Sequence, residues 1–181
     1  MTWQVDNAHT HISFVARHMM ITKVRGEFAK YDIVVNYDEE QPARSTVEAT
    51  IYTDSINTRD ERRDGHLRSP DFLDAANYPA MTFKSTRVEQ LANGHGRLIG
   101  DLTIRDVTRE VALDVEYYGL AQSPWGTTSA GFCGLTKIDR KDWGLTWNQA
   151  LETGGWLVGD QINIEIEVEL IKVPDAVAEL A

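Results

Sequence analysis

The chain has 181 residues, a formal charge of −10, 42% hydrophobic and 25% charged residues, which is one domain's length and an ordinary globular composition. The negative charge argues against a coat for nucleic acid or an anionic membrane, because phosphate binding is driven mainly by Lys and Arg. A single cysteine, Cys133, excludes an internal disulfide, and no apolar run approaches a membrane span, so stable membrane insertion is not expected.

The opening "MTWQVDNAHTHISFV" lacks a basic segment followed by an apolar one. No signal peptide is expected, and with one cysteine a cytoplasmic location follows. "ISFVAR" reads as a strand with Ile12, Phe14 and Ala16 on one face, and His18 continues that parity. His9 and His11 share the other face, a spacing that suits a metal. No carboxylate or cysteine completes the set nearby in sequence, so no metal is assigned. "EFAKYDIVVNY" shifts its apolar phase between Phe28 and Ile33, which predicts a bulge. Val47, Ala49 and Ile51 then share a strand face.

The strand pattern breaks at "RRDGHLRSPDFLD". Thr58 and Glu61 have capping-box spacing, predicting a short helix over Arg59–Arg68. Ser69-Pro70 reads as a second helix start, with Phe72 and Leu73 as its apolar anchors. A catalytic His66 with Asp64 is one reading, but residues two apart on a helix do not share a face. The reading preferred is a jointed lid over the end of a barrel, weakened inside by Gly65.

After the lid, "MTFKSTRV", "RLIGDLTI", "VALDVEYYG" and "GTTSAGFCGLTKI" read as strands. Val111, Leu113, Val115 and Tyr117 share one face, as do Leu98, Leu102 and Ile104. "DRKDWGLTWNQALETGGWLVGD" is a long Trp- and Gly-rich connection. The clearest alternation closes the chain: Ile162, Ile164, Ile166, Val168 and Leu170 against Asn163, Glu165, Glu167 and Glu169. Residues 1–173 therefore read as one domain and 174–181 as a loose tail. About eight consecutive strands with short turns pair antiparallel, as a barrel or a sandwich.

Motifs in order and spacing identify a resemblance. They are Asp6-x-x-His9, His18 and Gly26-x-Phe28, then "RDGHLRSPDFLD", "YPAMTFKST", "GDLTIRDVTREVAL", "KIDRKDWGL" and "VGDQINIEIEVEL". From about Trp3 to Val173 the chain resembles the YceI-like family of lipocalin-like, polyisoprenoid-binding proteins. Leu73, where a second aromatic is usual, and Asp106, where glycine is usual, depart from the pattern. The resemblance implies an all-β, eight-stranded antiparallel lipocalin-like barrel with one short helical lid segment, and so chooses barrel over sandwich. It also implies a non-enzymatic carrier or store of a long-chain isoprenoid, quinone or fatty-acyl compound, with no cofactor, and a homodimer.

Phe14, Phe28, Phe83, Ile104, Phe132 and Ile164 are the expected ligand-lining residues, with Phe72 anchoring the lid. His18 is either a hydrogen-bonded core histidine or a contact for the ligand head group. Trp143 and Trp147 are either core fillers or part of the pocket mouth. The lid arginines, Arg59, Arg62, Arg63 and Arg68, are balanced by Asp60, Glu61 and Asp64, so the head group stays open between acidic and neutral. Two alternatives stand beside the carrier: a lipid-modifying enzyme using His18 or His66, and a fully packed barrel serving protein interaction.

Overall fold

A computed structural model describes residues 2–90 and 92–174. The predicted tail, apart from Pro174, lies outside the described residues. Among those described, eleven strands form one antiparallel sheet. They are β1 (Thr2–Val5), β2 (His11–His18), β3 (Thr22–Phe28), β4 (Tyr31–Asn36), β5 (Thr46–Tyr52) and β6 (Ile56–Asn57). After helix α1 (Glu61–Arg68) come β7 (Ala80–Gln90), β8 (His95–Ile104), β9 (Val107–Gln122), β10 (Thr128–Asp139) and β11 (Val158–Val173).

Eleven strands reduce to the eight expected once bends are allowed for. The chain passes from β3 into β4 through only Ala29 and Lys30, at the predicted phase shift. β3 pairs with β2 and β6, whereas β4 pairs with β5. β1 and β2 lie end to end along β11, separated by the Asp6–Thr10 excursion. Thus β1–β2, β3–β4 and β5–β6 are single bent staves, and with β7 to β11 the staves number eight. The sheet curls until β1 lies beside β4. No ladder joins these two among the described residues. Trp3 bridges the seam instead, its ring 5.7 Å from that of Tyr37.

The alternating residues land as their parity requires. Ile162, Ile164, Ile166, Val168 and Leu170 of β11 face inward, as do Val111, Leu113 and Val115 of β9 and Val47, Ala49 and Ile51 of β5. Gly26 explains the Gly-x-Phe motif. It stands opposite Phe14 across the β2–β3 ladder, and any Cβ there would run into the Phe14 ring. Glycine lets that ring lie flat over the neighbouring strand.

The helical excursion differs in detail from its prediction. The N-cap is Asp60, whose carboxylate accepts the Arg63 N–H at 3.0 Å. Thr58 is not the cap. It is buried, and its backbone N–H and hydroxyl both donate to the buried Asp64 carboxylate, at 2.9 and 2.5 Å. Asp60 wins because an aspartate adjoining the first turn reaches a free N–H directly. No second helix starts at Ser69-Pro70 either. Ser69 ends α1, its hydroxyl donating to the His66 carbonyl at 2.7 Å, and turns follow. Phe72 and Leu73, only 5% and 7% exposed, still anchor the segment against the barrel. No helix among the described residues is long and apolar enough to cross a membrane.

Candidate functional site: a cavity along the barrel

The inward faces do not meet. They leave a cavity of about 660 Å³ lined almost wholly by apolar side chains. At the α1 end it is closed by Leu67, Phe72, Leu73, Ile104 and Leu145. The last four are 7% exposed or less, so this end is sealed. Phe14, Phe28, Ile33, Ala49, Phe83 and Ile164 line the middle. At the other end the lining includes Tyr37, Glu39, Gln90, His95, Arg97 and Tyr117. Gln90, His95 and Arg97 are solvent-exposed, so the cavity reaches water here, at the hairpin between β7 and β8.

Polar contacts hold the sealed end. Arg63 donates through Nε to the Thr58 hydroxyl and through a terminal nitrogen to its carbonyl, both at 2.7 Å. Arg68 pairs with Glu61 at 2.7 Å. Arg105, at the β8–β9 turn, reaches the Phe72 carbonyl at 3.4 Å. Behind them Arg140, 4% exposed, donates to the carbonyls of Leu145 (2.6 Å), Trp147 (2.9 Å) and Gly159 (3.0 Å) and to Asp160 (3.4 Å). Burial pulls the guanidinium pKa down, and the charges of Asp160 and Asp139 oppose that. A guanidinium is the one side chain with enough fixed donors to satisfy so many carbonyls of a folded-back loop. Arg140 thereby staples the long connection onto the barrel.

The open end carries an aromatic collar. Phe132 sits between two tyrosines, its ring 5.2 Å from Tyr37 and 5.1 Å from Tyr117. Burial, then the adjoining Tyr117 phenol and the charge of Glu39, push the Tyr37 phenol up to about 12, so it stays protonated at neutral pH. Glu39 accepts from Lys172 at 2.6 Å and from the Trp3 indole at 3.0 Å. Chiefly that lysine contact holds its carboxyl below the usual range.

Phe14, Phe28, Phe72, Phe83, Ile104, Phe132 and Ile164 all line the cavity. His18, Trp143 and Trp147 do not. The β2–β3 ladder runs unbroken to His18, which keeps its parity but stands at the last position of β2, where β11 slips register between Val158 and Ile162 and its partner Val158, not His18, lines the cavity. Trp143 is core, 3% exposed, its indole N–H donating to the Leu102 carbonyl at 3.1 Å. Trp147 backs the sealed end, its ring 4.5 Å from His66 and 5.4 Å from Phe72. His66 contacts Asp71 at 2.8 Å while Asp64 is occupied by Thr58, so the two do not pair.

One sequence inference needs correcting. Carboxylates do gather at His9. Its Nδ1 lies 2.9 Å from Asp6 and 3.8 Å from Glu169, which only the β1–β2 excursion over β11 brings together. His11 is not in this group.

This geometry coincides with that of known proteins. The model of the YceI-like domain matches residues 3–170. The chain belongs to the YceI-like domain family. A UPF0312 protein of Staphylococcus aureus strain N315 is 36% identical over 165 residues, covering 91% of this chain and 94% of that one. The Campylobacter jejuni YCEI crystal structure is 34% identical with a TM-score of 0.74, covering 87% of this YceI-like chain and 90% of that chain. A polyisoprenoid binding domain from Saccharophagus degradans shares the fold, with a TM-score of 0.66 at 13% identity over 96% of this chain and 99% of that one.

Proposed function

We propose that the protein binds one long apolar molecule, an isoprenoid, quinone or fatty-acyl compound, along the barrel axis and carries or stores it without altering it. The observation that carries this reading is the apolar cavity of about 660 Å³, sealed at the α1 end and open at the other. That volume is in the range of ordinary ligand pockets, about 300–1,000 Å³. The tail lies toward Phe72 and the head group toward Tyr37 and Tyr117. Family membership supports it, as does the polyisoprenoid-binding relative of the same fold. Each buried methylene contributes about 0.8 kcal/mol, so a ten-carbon stretch offers about 8 kcal/mol before ordering costs.

Native mass spectrometry and organic extraction of protein purified from cells test the reading. A stoichiometric lipid, returned unchanged, is expected. Finding none, together with no micromolar binding of prenyl alcohols or fatty amides, would discard it.

A further inference from the structure

The two-residue loop between β2 and β3 is built from unusual residues for its shape. The Ile21 N–H donates to the His18 carbonyl at 3.1 Å, and both central residues, Met19 and Met20, have positive φ, 51° and 63°. Asn-Gly makes this tight hairpin turn without strain. Each methionine held in the left-handed region costs stability instead. The side chains are not buried in return: Met20 is 65% exposed and Ile21 73%. The long connection adds Trp156, 56% exposed. It is tied to the turn by the Met19 N–H, which donates to the Leu157 carbonyl at 2.8 Å, and by the Met20 sulfur, which fills the space a Cβ on Gly155 would take. Folding gains from neither the strain nor the exposure, so the tip is shaped for something outside the chain.

Charge identifies the partner. Behind the tip, Arg17 and Lys23 face each other across the β2–β3 ladder, with Arg25 next along, opposite Val15. All three are exposed, and none enters an ion pair among the described residues. Asp160, adjoining the Gly159 that lies against Arg17, is held by Arg140 at 3.4 Å and Lys141 at 2.9 Å. Against these cations the connection sets one carboxylate, Glu152. The acids of this wall lie further along it, Glu27 and Glu165 beside Ser13 and Glu167 beside His11. The net charge of −10 thus conceals a cationic collar behind an apolar tip.

Arg17 and Lys23 stand two residues back from Met19 and Ile21, about 7 Å at about 3.3 Å per residue. A bilayer surface is layered at that spacing: apolar side chains settle about 5–10 Å into the acyl boundary, and Lys and Arg reach back to the head groups. A stable protein interface takes about 20–30 residues a side, which a convex tip of four does not offer.

We infer that the β2–β3 turn and Trp156 form a docking tip for an anionic bilayer surface, in which Met19, Met20, Ile21 and Trp156 enter the acyl boundary while Arg17, Lys23 and Arg25 meet the lipid phosphates. The tip stands at the sealed end, beside the Gly159 carbonyl that Arg140 holds, so docking leaves the open end of the cavity in water. Attachment is peripheral and reversible, and it goes beyond the carrier reading.

Sedimentation with vesicles of phosphatidylglycerol and phosphatidylcholine in equal parts, against phosphatidylcholine alone, tests this on the whole chain. The anionic vesicles are expected to bind at least about tenfold tighter, and to lose most of that advantage in about 0.5 M salt. Giving the turn the residues it prefers, Met19→Asn with Met20→Gly, should keep or raise the thermal midpoint yet weaken binding at least about tenfold. The triple variant Arg17→Gln, Lys23→Gln, Arg25→Gln should weaken it about a hundredfold, about fivefold for each charge. Brominated acyl chains locate the contact. They should quench Trp156, so Trp156→Phe loses the quenching, while Trp125→Phe, at the β9–β10 turn, keeps it. No binding to anionic vesicles would overturn the inference in favour of an acidic protein partner. Binding that survives the Asn-Gly tip, or quenching that follows Trp125, would overturn it too. None of these results touches the carrier reading, which rests on lipid held inside the barrel.

Discussion

Replacing Ala49 by phenylalanine tests where the tail goes. Ala49 is near the middle of β5, faces the cavity, and pairs with Ile33 on one side and Phe83 on the other. From Ala49 to the end of β5 at Tyr52 the chain runs three residues, about 10 Å at about 3.3 Å each. That depth, leading toward Phe72, is what a ring at position 49 would shut off from the open end. Excluding about five methylenes at about 0.8 kcal/mol each removes about 4 kcal/mol, close to a thousandfold in affinity. Some loss is recovered because the shortened tail needs less ordering, so one to three decades are expected for a twenty-carbon alcohol. A ten-carbon alcohol that stops short of the ring should bind as before. The new ring enters open space rather than a filled core, so stability should change by less than about 1 kcal/mol. Competition against a fluorescent lipid measures both affinities, and thermal unfolding checks the fold. An unchanged twenty-carbon affinity in a folded variant would show that the tail does not pass Ala49.

Three further outcomes follow from the packing. Gly26→Ala sets a methyl group against the Phe14 ring and 2.9 Å from the Thr58 methyl; it should cost about 1–3 kcal/mol in thermal unfolding, and an unshifted midpoint would deny the close approach. Arg140→Lys keeps the charge but loses the fork that holds the Leu145, Trp147 and Gly159 carbonyls; denaturant titration should show a loss of about 2–4 kcal/mol, and a loss below about 1 kcal/mol would mean the long connection is held by other contacts. The exposed His9–Asp6 pair raises the histidine above its usual 6.5 and lowers the aspartate below 3.8, each mainly through the hydrogen bond between them. The histidine's contribution is therefore complete below pH 6.5 and lost as pH rises through its raised pKa, while the aspartate's is complete above pH 3.8 and lost as pH falls through its lowered one. Nuclear magnetic resonance titration should find the His9 midpoint returning toward 6.5 in Asp6→Asn; an unmoved midpoint would refute the pairing.

The sequence by itself determined the inner wall. Two-residue periodicity is a local property, and a strand with one apolar face must bury it, so Ile164, Val111 and Ala49 were assignable inward without knowing their neighbours. The same logic marked the phase shift after Phe28, where β3 gives way to β4, and helix-start signals marked Phe72 and Leu73 as apolar anchors. Local rules failed where a distant segment intervenes. His18 keeps its parity but lies at the end of β2, where β11 slips register and Val158 takes the place on the cavity wall. Thr58 gave up the capping role because Asp64 turned back to it. Glu169 joined His9 from the far end of the chain. The tertiary structure alone decided which end of the cavity is open. Tyr37, Tyr117 and Lys172 come from three separate segments, of which periodicity marked only Tyr117, and only curling of the sheet brings Tyr37 beside Phe132 and Glu39 beside Lys172. Charge balance at the open end depends on the distances Glu39–Lys172 and Arg97–Asp114, and such distances between residues remote in sequence are set by strand register, which no run of adjacent residues encodes.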